Sequence, residues 1–301
     1  MPPRAARPAG IRRGLSSVAV VGTTAWGTTL ALLLAQKGMP VRLWARTAAE
    51  AHDLNVAGEH RRRVPGIPFP AQLKVTADLD EALGGAELVL FAVPSQQMRA
   101  NARMASPHLP RTALVLSAAK GLEVGSCRRM TEVLAEELGD DGDRVCVLSG
   151  PNIQREIAQG MPAATVVAAP RLEVADRVRD LMVTPRFRVY SSNDVVGVEL
   201  GGTLKNIVAM GAGLNDGWGY GANTKAAYMT RGLAEMTRLG VAEGPSTTIA
   251  ARELGQRLGV EMPITEVSYQ VLYQGLDPRT AITALMLREP KHEWEGLGDE
   301  P

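Results

Sequence analysis

Residues 16–47 read SSVAVVGTTAWGTTLALLLAQKGMPVRLWART, and the order of residue types in this stretch decides the fold. An apolar run at 18–21 ends on Gly22, a tight turn follows, and Gly27 opens a segment whose apolar residues recur at helical spacing as far as Gly38. A second apolar run occupies 41–44, so the stretch predicts strand, helix and a second strand parallel to the first. Gly22 permits the tight turn and Gly27 lets helix and strand pack closely. The first helical turn offers unpaired N–H groups and a positive dipole end, a seat for a phosphate. In the G-x-G-x-x-G pattern of dinucleotide sites a middle glycine lets the backbone approach the pyrophosphate; here that position is Thr24, whose hydroxyl could itself donate a hydrogen bond. Taken alone, GTTAWG is either a cofactor turn or an ordinary strand-to-helix connection.

The end of the second strand bears on that choice. A site preferring NAD usually has an acid there to hold the ribose hydroxyls. This chain has Arg46, and the first acid beyond it is Glu50. An arginine in that place pairs with a 2′-phosphate or stacks on adenine, which favours NADP(H) over NAD; the alternative is a solvated surface arginine.

The chain as a whole bounds the answer. Its 301 residues suggest two domains, and 45% apolar with 22% charged residues is ordinary for a globular protein. A formal net charge of +1 gives no field for nucleic acid, and no apolar run is long enough to insert in a membrane. Cys127 and Cys146 have no metal-ligand spacing, and His52, His60, His108 and His292 are scattered, which argues against zinc and Ser-His chemistry and for a reduced, cytoplasmic protein. Residues 1–15 carry four arginines and no acid, and read as a disordered extension or a targeting peptide. Residues 290–301 read as a loose tail.

Strand-like runs at 74–76, 88–93, 113–117, 145–148, 165–168 and 187–190 alternate with helical stretches, the pattern of an α/β parallel sheet. The loop EHRRRVPGIPFP is expected to lack regular structure because of its prolines. The strand signal stops near 192. Helices are expected at 195–214, 224–239, 246–258, 263–274 and 278–287, with Asn223 as a cap and Gly259 and Gly275 at helix ends. The domains are therefore 16–192, α/β and nucleotide-binding, and 193–289, all-helical, with a ligand cleft between them. Exposed apolar helix faces would favour a homodimer.

Three segments place polar groups at successive strand ends: VPSQQM (93–98), SAAKGLE (117–123) with Lys120, and LSGPN (148–152) with Gly150 and Asn152. Each is ordinary loop chemistry by itself; together they outline a cleft for a nicotinamide and an anionic substrate. The principal catalytic candidate is Lys205 in VELGGTLKNIVAMGAG (198–213). A lysine on a largely apolar helix is expected to be buried, with its pKa lowered toward proton transfer, while Gly201 and Gly202 open room for a ligand. The alternative is a snorkelling lysine at a helix flank. Asn206 beside it could orient the lysine or the substrate.

In family order, VVGTTAWGTTLALLLAQKG, RLWAR, VPGIPFP, FAVPSQQMR, SAAKGLE, LSGPNIQREIAQGMPAATVVAA, RFRVYSSNDVVGVELGGTLKNIVAMGAG, NTKAAYMTRGLAEMTRLG and RLGVEMPITEVSYQVLYQG resemble the bacterial NAD(P)-dependent sn-glycerol-3-phosphate dehydrogenases over nearly all of 17–288. The resemblance implies a Rossmann-type domain followed by a helical one. It also implies hydride transfer between NADP or NAD and C2 of glycerol 3-phosphate or dihydroxyacetone phosphate, a reaction feeding glycerophospholipid synthesis. It assigns Ala25, Trp26, Arg46, Lys120 and Gln154 to the cofactor, although serine is usual at Ala25 and a small residue at Gln154. Lys120, Gly150 and Asn152 go to the phosphate substrate, although Ser or Thr is usual at Asn152, and Lys205 goes to proton transfer. After the TRGLAEMTRLG helix, family members continue through several dozen residues with a GLGDL-like and an S-R-N-R-like segment, which supply an aspartate near the lysine and the groups gripping the phosphate. Here LGVAEGPSTTIAARELG runs straight into the later helix, and Glu243 is the remnant of a cofactor-contacting segment beyond the lost part.

Overall fold

The computed structural model describes residues 17–140, 142–241, 256, 259–277, 280–281 and 284. The expected extension 1–15, the tail 290–301, the helix at 246–258 save residue 256, most of that at 278–287, and Glu243 lie outside the described residues.

The opening stretch forms β1 (Val18–Val21), α1 (Ala25–Gln36) and β2 (Val41–Trp44), as its pattern dictates. Every residue of β1 is buried, because the strand is central and covered on both faces. α1 is apolar nearly all round and is buried from Gly27 to Ala35. After α2 (Ala48–Ala57) come β3 (Glu59–His60), β4 (Val64–Pro68) and β5 (Leu73–Thr76), then α3 (Leu79–Leu83), β6 (Leu88–Phe91), α4 (Met98–Ala105), β7 (Leu114–Ser117), α5 (Met130–Leu138) and β8 (Val145–Ser149). The sheet domain finishes with α6 (Gln154–Ala158), β9 (Ala163–Ala168), α7 (Leu172–Met182) and β10 (Phe187–Ser192).

Eight strands make one sheet in the order β10-β9-β8-β7-β6-β1-β2-β5, all neighbours parallel except β8 and β9. From β1 the chain winds one way through β2 and β5 and then the other way from β6, so the switch point lies between β1 and β6, where Val21 pairs with Phe91. Alternation along β1 serves both faces: Val18 and Val20 pack with α1 and α7, Ala19 and Val21 with α4 and α5.

The proline-rich loop is a correction to the sequence reading. Its two short strands pair antiparallel as a separate sheet, β3 with β4. Pro65 and Pro68 lack N–H groups, but a two-stranded ribbon has an unpaired side on each strand where proline is tolerated. Gly66, with φ of +76°, donates its N–H to Glu59 Oε2 at 2.8 Å and closes the hairpin.

β10 ends at Ser192, and among the described residues there follow the helices α8 (Val195–Gly217), α9 (Ala222–Val241) and α10 (Pro263–Tyr273). Asn223 falls inside α9 rather than capping it. Gly259 and Gly275 both have φ of +68°, the left-handed conformation expected after helix ends. A small third core of Leu200, Leu204, Ile207 and Met262 joins α8 to the approach of α10. No helix among the described residues is long and apolar enough to cross a membrane.

Candidate active site

The turn after β1 is packed so tightly that its glycines are obligatory. A Cβ on Gly22, whose φ is +112°, would lie 2.9 Å from the Ala92 carbonyl oxygen, and one on Gly27 would lie 2.2 Å from the Gly22 carbonyl oxygen. Thr24 is the N-cap of α1: its hydroxyl accepts the Gly27 N–H at 3.0 Å and donates to the Ala92 carbonyl at 2.7 Å. The hydroxyl is thus engaged within the fold, which corrects the expectation that it is available to a phosphate. At the positive end of α1 the N–H groups of Ala25 and Trp26 have no intrahelical acceptor.

Two groups missed by the sequence reading hold this turn from outside. Thr23 Oγ1 donates to Glu50 Oε1 at 2.5 Å, and the Thr23 carbonyl lies 3.0 Å from His60 Nε2. A carbonyl can only accept, so the His60 ring carries its proton on Nε2. His60 is buried, and burial pushes its imidazole below the ordinary value. Arg46, exposed beyond β2, donates from Nη2 to Gln97 Oε1 at 3.0 Å, so it spans the crevice between the ends of β2 and β6.

The second half of the site forms where α8 meets the sheet. Lys120, on the loop after β7, donates to the Gly150 carbonyl at 2.8 Å. A Cβ on Gly150 would meet Thr165 Cα and Oγ1 at 2.9 Å, so packing against β9 demands glycine there. A Cβ on Gly202 would lie 2.0 Å from Ser149 Oγ: the missing side chain admits Ser149 rather than a ligand, contrary to the sequence reading, whereas Gly201 faces open space. Thr203 Oγ1 accepts the Gly121 N–H at 3.1 Å. Burial lowers the Lys120 pKa first, and the nearby Lys205 charge lowers it further; Gly202 of α8 lies against the Lys120 side chain.

Lys205 is exposed, not buried as its apolar surroundings in sequence suggested, and Asn206 is exposed beside it. Leu204 and Ile207 point into the core and turn Lys205 and Asn206 to the opposite side of α8. Asn152 Nδ2 donates to the Ala164 carbonyl at 3.0 Å, leaving its buried Oδ1 without a protein partner. Gln154 starts α6 and receives a long hydrogen bond, 3.3 Å, from Thr29 on α1, which places it beside the cofactor-type helix. The structure therefore brings Gly22, Thr24, Ala25, Trp26, Gly27 and Gln154 to one helix start, and Lys120, Gly150 and Lys205 to a neighbouring strand edge.

The family model for the N-terminus of NAD-dependent glycerol-3-phosphate dehydrogenase matches residues 17–175, and that for the C-terminus matches 194–242 and 239–283. The chain belongs to this family. A glycerol-3-phosphate dehydrogenase [NAD(P)+] of Dehalococcoides mccartyi is 41% identical over 339 residues, covering 94% of each chain, and one of Moorella thermoacetica is 41% identical over 331, covering 93% of this chain and 98% of its own. The crystal structure of glycerol-3-phosphate dehydrogenase from Coxiella burnetii superimposes with a TM-score of 0.83 at 30% identity, over 91% of this chain and 99% of that one. A ketopantoate reductase of Ralstonia eutropha, at 16% identity and a TM-score of 0.59, shares the fold alone.

The comparisons also locate a gap in this dehydrogenase-family chain. The aligned length of 339 exceeds the 301 residues present, so the relative carries residues without a counterpart here. The C-terminal match falls in two pieces that meet at 239–242, the end of α9. Sequence reading found the lysines, the glycines and this gap. It missed Thr203, Glu50 and His60, whose partners lie 82, 27 and 37 positions away in the chain, beyond the reach of any local pattern.

Proposed function

We propose that the protein interconverts sn-glycerol 3-phosphate and dihydroxyacetone phosphate with a nicotinamide dinucleotide. The observation that carries this reading is the docking of the Lys120 loop on α8, the helix of Lys205, through the Gly121 N–H to Thr203, beside a dinucleotide-type turn in a chain of this family. The bound dinucleotide supplies or takes the hydride at C2. Ala25 and Trp26 N–H groups receive its pyrophosphate, and Gly22 and Gly27 keep the turn compact. Arg46, with no acid in its place, pairs with a 2′-phosphate, so NADPH is preferred over NADH. Lys205 gives or takes the proton at the C2 oxygen; its exposure on α8 leaves it open to a substrate in the cleft. Lys120, held by the Gly150 carbonyl, together with Asn152 and Asn206, orients the substrate. Gln154 borders the cofactor, and Glu243 is assigned to it by resemblance. The reaction belongs in the cytoplasm, and the protein works as a homodimer, which sedimentation velocity tests directly.

NADPH absorbance with dihydroxyacetone phosphate is the decisive assay. Lys205→Ala is expected to lower kcat by a factor on the order of 10²–10⁴ while NADPH binding is retained; an unchanged kcat removes the lysine from the chemistry. Arg46→Asp is expected to reduce the NADPH-to-NADH affinity ratio about tenfold or more, and an unchanged ratio refutes the cofactor preference. A second reading, a dinucleotide-binding protein without turnover, is favoured by the gap at 239–242, where the family's phosphate-gripping segment is expected. Nucleotide binding with no NADPH oxidation would decide for it.

A further inference from the structure

Helix α8 faces the sheet domain with two polar side chains one turn apart, Glu199 and Thr203. Both are buried, and both reach across to the other domain. The Glu199 carboxylate accepts the Thr131 N–H at 3.0 Å and its hydroxyl at 2.6 Å, capping the start of α5. Thr203 accepts the N–H of Gly121, the residue next to Lys120. Gly121 has φ of +124°, a conformation open chiefly to glycine, so the direction of its N–H is set by a backbone that no other residue would readily adopt. Two positions beyond Thr203 stands Lys205.

We propose that Thr203 is a positioning residue: by accepting the Gly121 N–H, its hydroxyl fixes the loop that carries Lys120 against the helix that carries Lys205 and so sets the separation of the two ammonium groups. A buried N–H without an acceptor is costly, so the loop stays docked while the hydroxyl is present. The contact of Gly202 with Ser149 keeps α8 at the sheet edge at the same level. Lys205, from α8, is the charged group whose field acts on Lys120; Glu123, farther along the loop, is turned away to Arg99 at 2.7 Å. The inference rests on the family reading for what the lysines do to a substrate, but not for how they are held.

Its test therefore needs no turnover. Competitive acetylation of Lys120 across pH, read by peptide mass spectrometry, gives the midpoint of its amine in the full-length protein. Thr203→Val keeps the shape and loses the acceptor; the loop loosens, and the Lys120 midpoint rises by about one pH unit as burial and the neighbouring charge both weaken. Thr203→Ser retains the wild-type midpoint. Lys205→Met raises the midpoint while Gly121 stays protected from hydrogen exchange, whereas Thr203→Val speeds Gly121 exchange about tenfold or more. A Lys120 midpoint equal in wild type and Thr203→Val overturns the proposal. Should that variant not fold, a fast-exchanging Gly121 amide in the wild type, or a midpoint unmoved by Lys205→Met, overturns it equally. Absent NADPH oxidation would count against the functional reading and leave these outcomes untouched.

Discussion

Thr24 shows how one side chain can serve the fold at the expense of the site. Its hydroxyl caps α1 and ties the turn to Ala92, at the carboxyl end of β6, so it joins the two strands that flank the switch point. Thr24→Ala is expected to cost ~1–2 kcal/mol, the usual loss of an N-cap plus a carbonyl left without its donor, read as a lower urea midpoint. Thr24→Gly loses the same bond to Ala92 but removes the side chain from the pyrophosphate approach, and NADPH is expected to bind it severalfold more tightly than wild type. At this scale the sequence was a poor guide to what its candidate residues touch. Lys205 was found by its apolar neighbours, yet those neighbours face the core and leave the lysine outside. Helical phase, which Leu204 and Ile207 fix only once the core is known, decides that difference.

Among the elements, the loop after β7 matters most because it carries Lys120. Arg99 on α4 holds it in place, pairing with Glu123 of the loop at 2.7 Å and with Glu136 and Glu137 of α5. The Arg99 hydrogen bond is the main reason the Glu123 carboxyl is held at about 2 instead of its ordinary 4.5. A depressed carboxyl stabilises the fold above its unfolded value and loses that contribution as pH falls through 4.5 toward about 2. The stability gap between wild type and Arg99→Met is therefore expected to be full at pH 6 and to close by about pH 2, measured as urea midpoints; a gap independent of pH would refute the assignment. The parallel strands and long helices were legible because continuous apolar runs and helical spacing are strong local signals. The β3–β4 hairpin was not, since its pairing depends on a ribbon with free edges that tolerates proline. α6, five residues long, is too short for a periodic signature.

Over the whole molecule, buried apolar residues are divided unevenly. Among the described residues, two large clusters fill the two faces of the eight-stranded sheet, while a third, around Leu200, Leu204, Ile207 and Met262, is small. Kinship and domain order were readable from the chain, and so was the gap after α9, because ordered motifs stop and resume there. What replaces the family's missing helical packing could not be read, since a gap leaves no residues to interpret. The uneven core has a kinetic consequence. The helices beyond β10 should open as a separate cooperative unit, well before the sheet lets go, because among the described residues the apolar cluster that holds them is small. Native-state hydrogen exchange is expected to place the α9 amides in an opening event several kcal/mol below that of β1, β6 and β7, and a single common opening would contradict it. Trp44, buried in the sheet domain, and Trp218, at the end of α8, sit on opposite sides of that divide. In variants that retain one of these two tryptophans and carry phenylalanine at the other three tryptophan positions, the fluorescence should part company in mild denaturant, with Trp218 changing first.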